Sequence, residues 1–449
     1  MLLLNGTIEE SWLIPGGPPI TTLNYKKTRP AGFKTYVPVN EALNIFLDSC
    51  SKHGFKQKTE HLPLHSTANR VLAQDFISPI DIPPFNKSAM DGYAVIAANT
   101  KNASQKNPVS LEVTATASAG DAATYTIKSG QAVAIATGAR IPQGADAVVM
   151  VEDTNGDKKN VQIFKEIKNG KNIILKGEDM QAGQLLLTPG TWLRPQNIGL
   201  IASVGTASVT VFSKPTVAVF STGSELVEPG SKLSTNAVLY DSNRYMLSAM
   251  IHECGGEAVD LGICKDDPIS IADTLKKAQQ YDAVIISGGS SVGEKDYVPD
   301  IINHTGKLLV HGVAMRPGSP TALGIVEGKP VISTPGYPVA SFFAFYTFGR
   351  PLLFTMLKTK GLPQATIIAK MASGIKLCED MQAFVRVNLT STTDSIGLPC
   401  YSAEPVSATA ASLLSTLTGP DGVVIVTDNK SQLIKGQKVE VLLLRAGVI

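Results

Sequence analysis

The chain has 449 residues, of which 43% are hydrophobic and 17% charged, and its formal net charge is +2. This length exceeds a single hydrophobic core and indicates three or four domains. The small net charge favours neither nucleic-acid nor membrane binding, and no run approaches the roughly 18 apolar residues of a membrane-spanning helix. The first residues lack the basic and apolar parts of a secretory signal. The sequence therefore predicts a cytoplasmic protein with no nucleic-acid or membrane partner.

Cysteines and histidines give no sign of a metal or disulfide framework. The five cysteines are scattered, odd in number, and never form a Cys-x-x-Cys pair. This pattern argues against a zinc site and indicates a reducing compartment. The six histidines show no metal-ligand spacing, so we expect them at the surface or satisfied in the core.

The N-terminal half begins without clear periodicity. Residues 1–35 are predicted to be an extension. An amphipathic helix is predicted from Pro38 onward, followed by a strand at 62–64 and a short helix at 68–73. Runs of β-forming residues between glycine turns predict a small β domain over 81–181.

The next segment returns to mixed structure. We expect a strand at 185–187, a helix at 194–203 and a strand at 209–211. Residues 182–212 are predicted to pack with residues 36–80 as one discontinuous α+β domain.

The stretch 213–360 predicts an open α/β sheet. Three short apolar runs, each followed by turn residues, lie at 216–220, 282–286 and 330–333. Such runs are typical of buried parallel strands, and helical periodicity separates the first two. Ligands of these sheets bind at the carboxyl ends of the strands, where the three glycine- and serine-rich loops fall. The remainder, 361–449, predicts a second small β domain.

The loop 287–296 carries the most chemistry. Its paired glycines let the backbone approach a ligand, and consecutive N–H groups form an anion-binding nest. Ser290 and Ser291 add hydroxyl donors, whereas Glu294 and Asp296 suit a Mg²⁺ that bridges to phosphate. We therefore predict a site for a phosphorylated ligand and a divalent metal. The alternative, a solvated glycine-rich turn, is disfavoured because three such loops follow neighbouring strands.

Three further polar loops lie outside this stretch, at 83–94, 135–146 and 176–179. Each contains glycine next to polar residues, the ordinary composition of a turn. Taken singly, each is predicted to be a turn.

Together these motifs resemble those of the molybdopterin molybdenumtransferases, the molybdenum insertases. The matching segments are 88–94, 137–139, 144–150, 177–179, 221–226, 240–243, 266–268, 287–297, 317–318 and 335–338. Their order and spacing agree from about residue 38 to the end, and only the first 35 residues lie outside the resemblance.

The resemblance implies an enzyme of molybdenum cofactor biosynthesis that inserts molybdate into adenylylated molybdopterin, with Mg²⁺-dependent release of AMP. It implies homodimers of four-domain subunits: domain I (36–80 and 182–212), β-rich domain II (81–181), the α/β molybdopterin-binding domain III (213–360) and β domain IV (361–449). The active site would lie between domain III of one subunit and domain II of its partner. Docking of other cofactor-assembly proteins stays open.

The same resemblance implies site residues at matching positions. The positions linked to activity are Asp91, Thr137, Asp179, Glu225 and Asp296. Asp266 and Asp296 would serve the metal and the nucleotide. The ligand-binding positions are Ser221, Gly223, Asp266, Gly288, Gly289, Ser290, Ser291, Arg316, Ser319, Pro320, Gly336, Arg386 and Ser412, the last two belonging to an oxyanion pocket.

The sequence departs from the family pattern at the oxyanion segment. The family commonly has Lys-Pro-Gly-Lys where this chain has Arg316-Pro317-Gly318-Ser319. Arg316 keeps one positive charge, and Ser319 loses the second. We expect weaker molybdate binding unless Lys295 or a partner residue substitutes. Tyr337 and residues 86–87 also differ from the usual pattern.

Alternatives therefore stay open: a tungstate-preferring enzyme, or a non-catalytic molybdopterin-binding paralogue or scaffold. The α/β stretch alone also resembles the adenylyltransferases that make the adenylylated intermediate, but the additional domains argue against that activity. The intact Asp91, Asp266 and Asp296 argue against a scaffold, which has no need of them.

Overall fold

The computed structural model describes residues 35–444 except 56, 123, 158, 233–237, 290–296, 362, 394–398, 407–409, 428 and 429. The chain divides into two compact units. The first contains residues up to 60, 69–71 and everything from 212 onward, and the second contains 61–68 and 72–211. Among the described residues, no helix is both long and apolar enough to cross a membrane.

The described residues form the following helices and strands. The helices are α1 (Val39–His53), α2 (Pro195–Ser203), α3 (Asn243–Glu253), α4 (Pro268–Ala278), α5 (Val298–Thr305), α6 (Pro338–Ala344), α7 (Arg350–Met356) and α8 (Ser415–Thr418). The first twelve strands are β1 (Thr59–Pro63), β2 (Phe76–Ile77), β3 (Lys87–Ser88), β4 (Gly92–Val95), β5 (Val109–Ala117), β6 (Gln131–Ile135), β7 (Ala147–Met150), β8 (Thr154–Gly156), β9 (Asn160–Ile163), β10 (Ile173–Ile174), β11 (Leu185–Leu187) and β12 (Ser208–Phe212).

The remaining strands fall into two groups. The first group is β13 (Thr216–Thr222), β14 (Leu226–Val227), β15 (Leu239–Tyr240), β16 (Glu257–Cys264), β17 (Ala283–Ser287), β18 (Gly306–His311), β19 (Met315–Arg316), β20 (Ala322–Val326) and β21 (Lys329–Thr334). The second group is β22 (Thr366–Met371), β23 (Ile375–Lys376), β24 (Gln382–Thr393), β25 (Pro399–Pro405), β26 (Gly422–Val426), β27 (Gln432–Leu433) and β28 (Lys438–Leu443).

The centre of the first unit is a six-stranded sheet in the order β16-β13-β17-β21-β20-β18. The first four strands are parallel, and β20 runs antiparallel between β21 and β18. The three apolar runs of the sequence form β13, β17 and β21, so the prediction of neighbouring parallel strands is confirmed. The predicted helices between the first two runs are α3 and α4.

Both faces of this sheet are buried. Alternate residues of each strand point to opposite faces and therefore enter different cores. On β13, Val217 and Val219 pack into a core with α1, α3 and α6. The intervening Ala218 and Phe220 pack into a second core with α4 and α5. Continuous burial explains why these strands are uniformly apolar.

Helix α1 packs on the α/β sheet of the first unit. Its residues Ala42, Phe46 and Cys50 recur at four-residue spacing and pack against the α/β sheet. The helix therefore lies in the first unit, whereas the predicted domain I joined it to 182–212. Residues 61–68 and 72–80 do lie in one unit with residues 182–211. The four-domain division itself stays a prediction.

The second unit is β-rich, as predicted. Its largest sheet has the order β7-β4-β6-β5-β9-β8, and small antiparallel pairs join β2 to β11 and β3 to β10. The prediction of a short helix at 68–73 is wrong. Asn69 takes the left-handed conformation with φ 60°, which ends a helix, and Leu72 bridges to Val211 in extended conformation.

The C-terminal strands close on themselves. Strand β24 pairs with both β25 and β26, and the ring β24-β25-β22-β28-β26 is complete. Val385 and Val387 point into this barrel. Phe384 points the other way and stacks on Phe343 of α6, with ring centroids 4.3 Å apart. The expectation of a multidomain α/β protein with small β domains is confirmed.

Candidate functional site

Three hydroxyl side chains line up across the carboxyl ends of the central strands. Ser221 of β13 pairs with Ser287 of β17, which pairs with Thr334 of β21. Residues paired in register point to the same face of a sheet. The loops predicted to share one edge of the sheet therefore meet there.

Asn243 joins two of these loops. Its Nδ2 donates to Ser287 Oγ at 2.9 Å and to the carbonyl oxygen of Gly336 at 2.8 Å. Asn243 Oδ1 and the buried Ser221 Oγ have no hydrogen-bond partner in the part of the chain described. Buried polar atoms are rarely left unpaired, so these two are candidates for ligand contact. Sequence reasoning included Asn243 in a motif without assigning it a role.

Two glycines allow the backbone to turn tightly after β17. Gly288 has φ 95°, and a Cβ there would collide with the carbonyl oxygen of Thr222. Gly289 has φ 61°, and a Cβ would lie 2.7 Å from Val298 Cγ2. Only glycine fits either position. The predicted Ser290, Ser291 and Asp296 lie outside the described residues.

Asp266 and Asp267 follow β16 but have different surroundings. Thr222 Oγ1 donates to Asp266 Oδ1 at 3.0 Å, and Asp266 Oδ2 accepts no hydrogen bond from the described residues. Asp267 caps α4 and accepts from Ser270 N at 2.8 Å. Burial opposes ionisation of Asp267, but the bonds from Ser270 outweigh it and hold its pKa below the usual value. Asp267 is thus structural, whereas Asp266 keeps an oxygen for a ligand.

Glu225 is exposed in the loop after β13. A Cβ on Gly223 would lie 2.8 Å from Glu225 Oε1, so glycine leaves room for this carboxylate. The Glu225 carbonyl oxygen accepts from Leu239 N at 2.7 Å. The loop is therefore held by its backbone, and the carboxylate of the exposed Glu225 lies against Gly223.

Arg386 on β24 is a buried cation. Its Nη1 donates to Thr416 Oγ1 of α8, and no described carboxylate pairs with it. Burial lowers the pKa of this guanidinium. A buried cation usually has a counter-charge, so its absence indicates a place for an anion.

Backbone contacts bring Ser412 to the edge of the α/β sheet. Val339 N, at the start of α6, donates to the carbonyl oxygen of Ala411 at 3.0 Å. Helix α6 begins two residues after Gly336, so the neighbouring Ser412 is held near the loop that follows β21. Thr416, the partner of Arg386, lies in α8, four residues after Ser412 in the sequence.

Arg316 lies on β19, a strand that pairs with the Arg386 strand β24. Strand β19 pairs Met315 and Arg316 with the first residues of β24. Arg316 is exposed, and its Nη1 donates to Cys378 Sγ at 2.9 Å. Ser319 accepts from Val313 N at 2.8 Å through its carbonyl oxygen, and Ser319 and Pro320 are half-buried.

In the second unit, the three loops predicted singly as turns form one cluster. Asp91 Oδ1 accepts from Thr137 N at 2.8 Å. Backbone bonds join Ser88 O to Gly138 N and Ala89 N to the segment preceding β10. Asp179 N donates to the carbonyl oxygen of Ile82 at 3.0 Å.

All three predicted side chains of this unit, Asp91, Thr137 and Asp179, are exposed. Asp91 contacts Thr137 directly, whereas Asp179 belongs to the third loop of the cluster.

Sequence reasoning missed Arg244. Its guanidinium is buried and bonded to Asp241, Asp260 and Glu228. Burial opposes its charge, but these three carboxylates outweigh burial and raise its pKa above the usual value. With its charge fully compensated, Arg244 fixes the start of α3, where Asn243 lies.

Three family profiles match the chain. They are the MoeA N-terminal region (domain I and II) over 37–205, the probable molybdopterin binding domain over 218–355, and the MoeA C-terminal region (domain IV) over 369–444. Together they define a multidomain protein with a molybdopterin-binding type of α/β domain.

Named relatives agree with the profiles. The chain is 33% identical over 423 residues to a putative molybdopterin biosynthesis protein of Methanocaldococcus jannaschii, covering 92% of this chain and 99% of the relative. It is 33% identical over 419 residues to the molybdopterin molybdenumtransferase of Bacillus subtilis, covering 92% and 95%. The crystal structure of the molybdopterin biosynthesis MoeA protein from Pyrococcus horikoshii superposes with a TM-score of 0.76 at 33% identity, covering 92% of this chain and 100% of that one. The chain belongs to the molybdopterin molybdenumtransferase family, as its motifs predicted.

Proposed function

We propose that the chain is a molybdenum insertase: it transfers molybdate onto adenylylated molybdopterin and releases AMP. The single observation that carries this proposal is Arg386, a buried guanidinium with no acidic partner among the described residues. The oxyanion is a substrate that supplies the missing negative charge. Arg386, Ser412 and Thr416 belong to segments joined to the loop after β21, so they hold the oxyanion beside the pterin substrate.

The carboxyl edge of the sheet binds the pyrophosphate side of the substrate. Ser221 Oγ and Asn243 Oδ1 are buried atoms without partners in the described segments. Gly288 and Gly289 permit close approach of backbone N–H groups to phosphate. Arg316 places a second positive charge on β19, the strand that pairs with the Arg386 strand β24. These donors reduce the repulsion between a tetrahedral dianion and a pyrophosphate.

Asp266 and Asp296 are proposed to hold Mg²⁺. No group of three metal-ligating side chains occurs within the described residues. Mg²⁺ is commonly bound by one or two carboxylates together with substrate phosphates and water, so Asp266 with its unpaired Oδ2 fits that chemistry. The ion would neutralise charge on the leaving AMP. Asp266 is itself oriented by Thr222.

Asp91, Thr137, Asp179 and Glu225 are proposed as residues that position the substrate. The direct bond from Thr137 N orients the Asp91 carboxylate. The proposal includes the four-domain division, a homodimer whose partner completes the site, and a cytoplasmic location.

The alternatives are less well supported. A pure scaffold has no need for a buried unpaired cation or for Asp266. An adenylyltransferase limited to the α/β stretch leaves the N-terminal and C-terminal regions unexplained. Preference for tungstate over molybdate is decided by the experiment below.

The test is a single-turnover reaction with adenylylated molybdopterin, Mg²⁺ and either molybdate or tungstate, in which AMP release is measured. We expect oxyanion-dependent release that falls about 100-fold in Asp266→Asn. The matched control is Asp75→Asn, an exposed carboxylate of the second unit. Absence of oxyanion-dependent release from a wild-type protein that binds the nucleotide would refute the insertase.

A further inference from the structure

A cavity of about 330 Å³ lies at the opposite edge of the α/β sheet from the site described above. Pro215, Asp282 and Lys329 line it, and these residues lie at the amino-terminal starts of β13, β17 and β21. The turn after α1 forms another wall. All its lining residues belong to the first unit.

Three lysines line this cavity. Lys58, Lys214 and Lys329 form no salt bridge with any described residue. Their backbones are held in place, since Ser213 N donates to the carbonyl oxygen of Lys58 at 2.9 Å and Lys329 pairs with Val326 in a hairpin. The lining also contains Asp282 and Glu327, so three lysines against two carboxylates leave the cavity a small net positive charge, which favours an anionic ligand.

One carboxylate of the cavity keeps a vacant acceptor. Asp282 Oδ2 accepts from both Thr216 N and Thr216 Oγ1 at 2.8 Å. Asp282 Oδ1 accepts no hydrogen bond from the described residues. A ligand that carries both an anionic group and an N–H or O–H donor would satisfy both the lysines and this oxygen.

The remaining wall is apolar. Phe55, Pro330 and Met356 contribute to it. Gln57 Nε2 donates to the carbonyl oxygen of Met356 at 2.9 Å, which fixes the turn after α1 against α7. The volume lies in the range of sites for small organic ligands and far exceeds an inorganic oxyanion.

We propose that this cavity binds a small phosphorylated organic molecule of nucleoside-monophosphate size, separate from the carboxyl edge of the sheet. The phosphate lies among Lys58, Lys214 and Lys329. The planar ring packs on Phe55 and Met356, and Asp282 Oδ1 accepts a hydrogen bond from the ring or the sugar. The cavity is thus a second nucleotide site that does not take part in the chemistry.

The test is calorimetric titration of the full chain with AMP, with adenosine and inorganic phosphate as separate probes. We expect AMP to bind, and the double variant Lys58→Ala/Lys214→Ala to raise the Kd of one binding event about tenfold or more. The charge-matched control is Lys370→Ala/Lys438→Ala, which removes two exposed lysines from the barrel and leaves that Kd unchanged. If adenosine and phosphate each bind more weakly than AMP, this supports a cavity that binds the nucleoside and the phosphate of one ligand together.

The variant Asp266→Asn distinguishes AMP binding at the cavity from AMP binding at the carboxyl edge of the sheet. We expect this variant to retain the lysine-dependent event, because Asp266 lies at the carboxyl edge. Hydrogen exchange supplies an independent readout: AMP slows exchange in peptides 53–60 and 212–216 of wild type but not of the lysine double variant. The proposal is overturned if the lysine double variant binds AMP as wild type does, or if all AMP binding is lost in Asp266→Asn.

Discussion

Two arginines of the first unit are almost equally buried but have opposite surroundings. Arg244 is 3% exposed and is bonded to three carboxylates, whereas Arg386 is 4% exposed and bonded only to a threonine hydroxyl among the described residues. Burial raises the free energy of a cation, and carboxylates or an anionic ligand offset that cost. The comparison separates a cation that stabilises the fold from one that is proposed to meet an anionic substrate.

The largest expected effect is on the stability of the Arg244 cluster. Arg244→Met leaves Asp241, which is 1% exposed, as a buried charge without its partner. We expect the free energy of unfolding to fall by about 3 kcal/mol or more, measured by urea denaturation. If the free energy of unfolding of the variant lay within about 1 kcal/mol of that of wild type, the contrast with Arg386 would be lost.

The second prediction concerns activity rather than stability. Arg386→Met removes the proposed counter-charge for the oxyanion, so oxyanion-dependent AMP release should fall about 100-fold. The free energy of unfolding should stay unchanged or rise, because an unpaired buried cation is replaced by an apolar side chain of similar length. Lys370→Met in the same barrel is the control for loss of one charge. A strongly destabilised Arg386→Met with intact activity would assign this arginine to the fold.

A smaller gain is expected from restoring the family lysine. Ser319→Lys adds a cation at a half-buried position, and the backbone bond from Val313 N to residue 319 does not involve the side chain. We expect half-maximal AMP release at about fivefold lower molybdate concentration, which corresponds to about 1 kcal/mol. An unchanged molybdate dependence would mean that another group already supplies this charge.

The smallest effect is a pH dependence of the Arg244 cluster. Burial opposes ionisation of Asp260, but its bonds with Arg244 and Gly262 N outweigh burial and hold its pKa below the usual 3.8. A lowered folded-state pKa contributes stability above about pH 4, and that contribution is lost as the pH falls through the folded pKa. The urea midpoint of wild type should therefore fall more steeply below pH 4 than that of Asp260→Asn. Equal changes in the urea midpoints of wild type and Asp260→Asn below pH 4 would contradict this assignment.

Much of the α/β sheet follows from the sequence because continuous apolar runs with turn residues leave few alternatives. The strands at 216–220, 282–286 and 330–333 were predictable, and so were the loops that follow them. The closure of the C-terminal barrel was not predictable, because the pairing of β24 with β26, and of β28 with β22 and β26, joins distant segments without a local pattern.

Residue roles in the site were less predictable than its position. The buried, unpaired state of Arg386 depends on which side of β24 faces α6, and Asn243 acts through contacts with two distant loops. The helix predicted at 68–73 failed because tertiary pairing of Leu72 with Val211 overrides local propensity. The family motifs named the positions, but only the folded chain shows their hydrogen bonds.

The closed barrel has a consequence for how the protein is synthesised. Strand β28 supplies the pairing partner of both β22 and β26, and it lies at the end of the described chain. A nascent chain that has not yet released residues 438–443 from the ribosome leaves both strands with open edges. The barrel that contains Arg386 then stays open. A chain truncated before β28 therefore lacks a closed barrel even though every proposed site residue has been made.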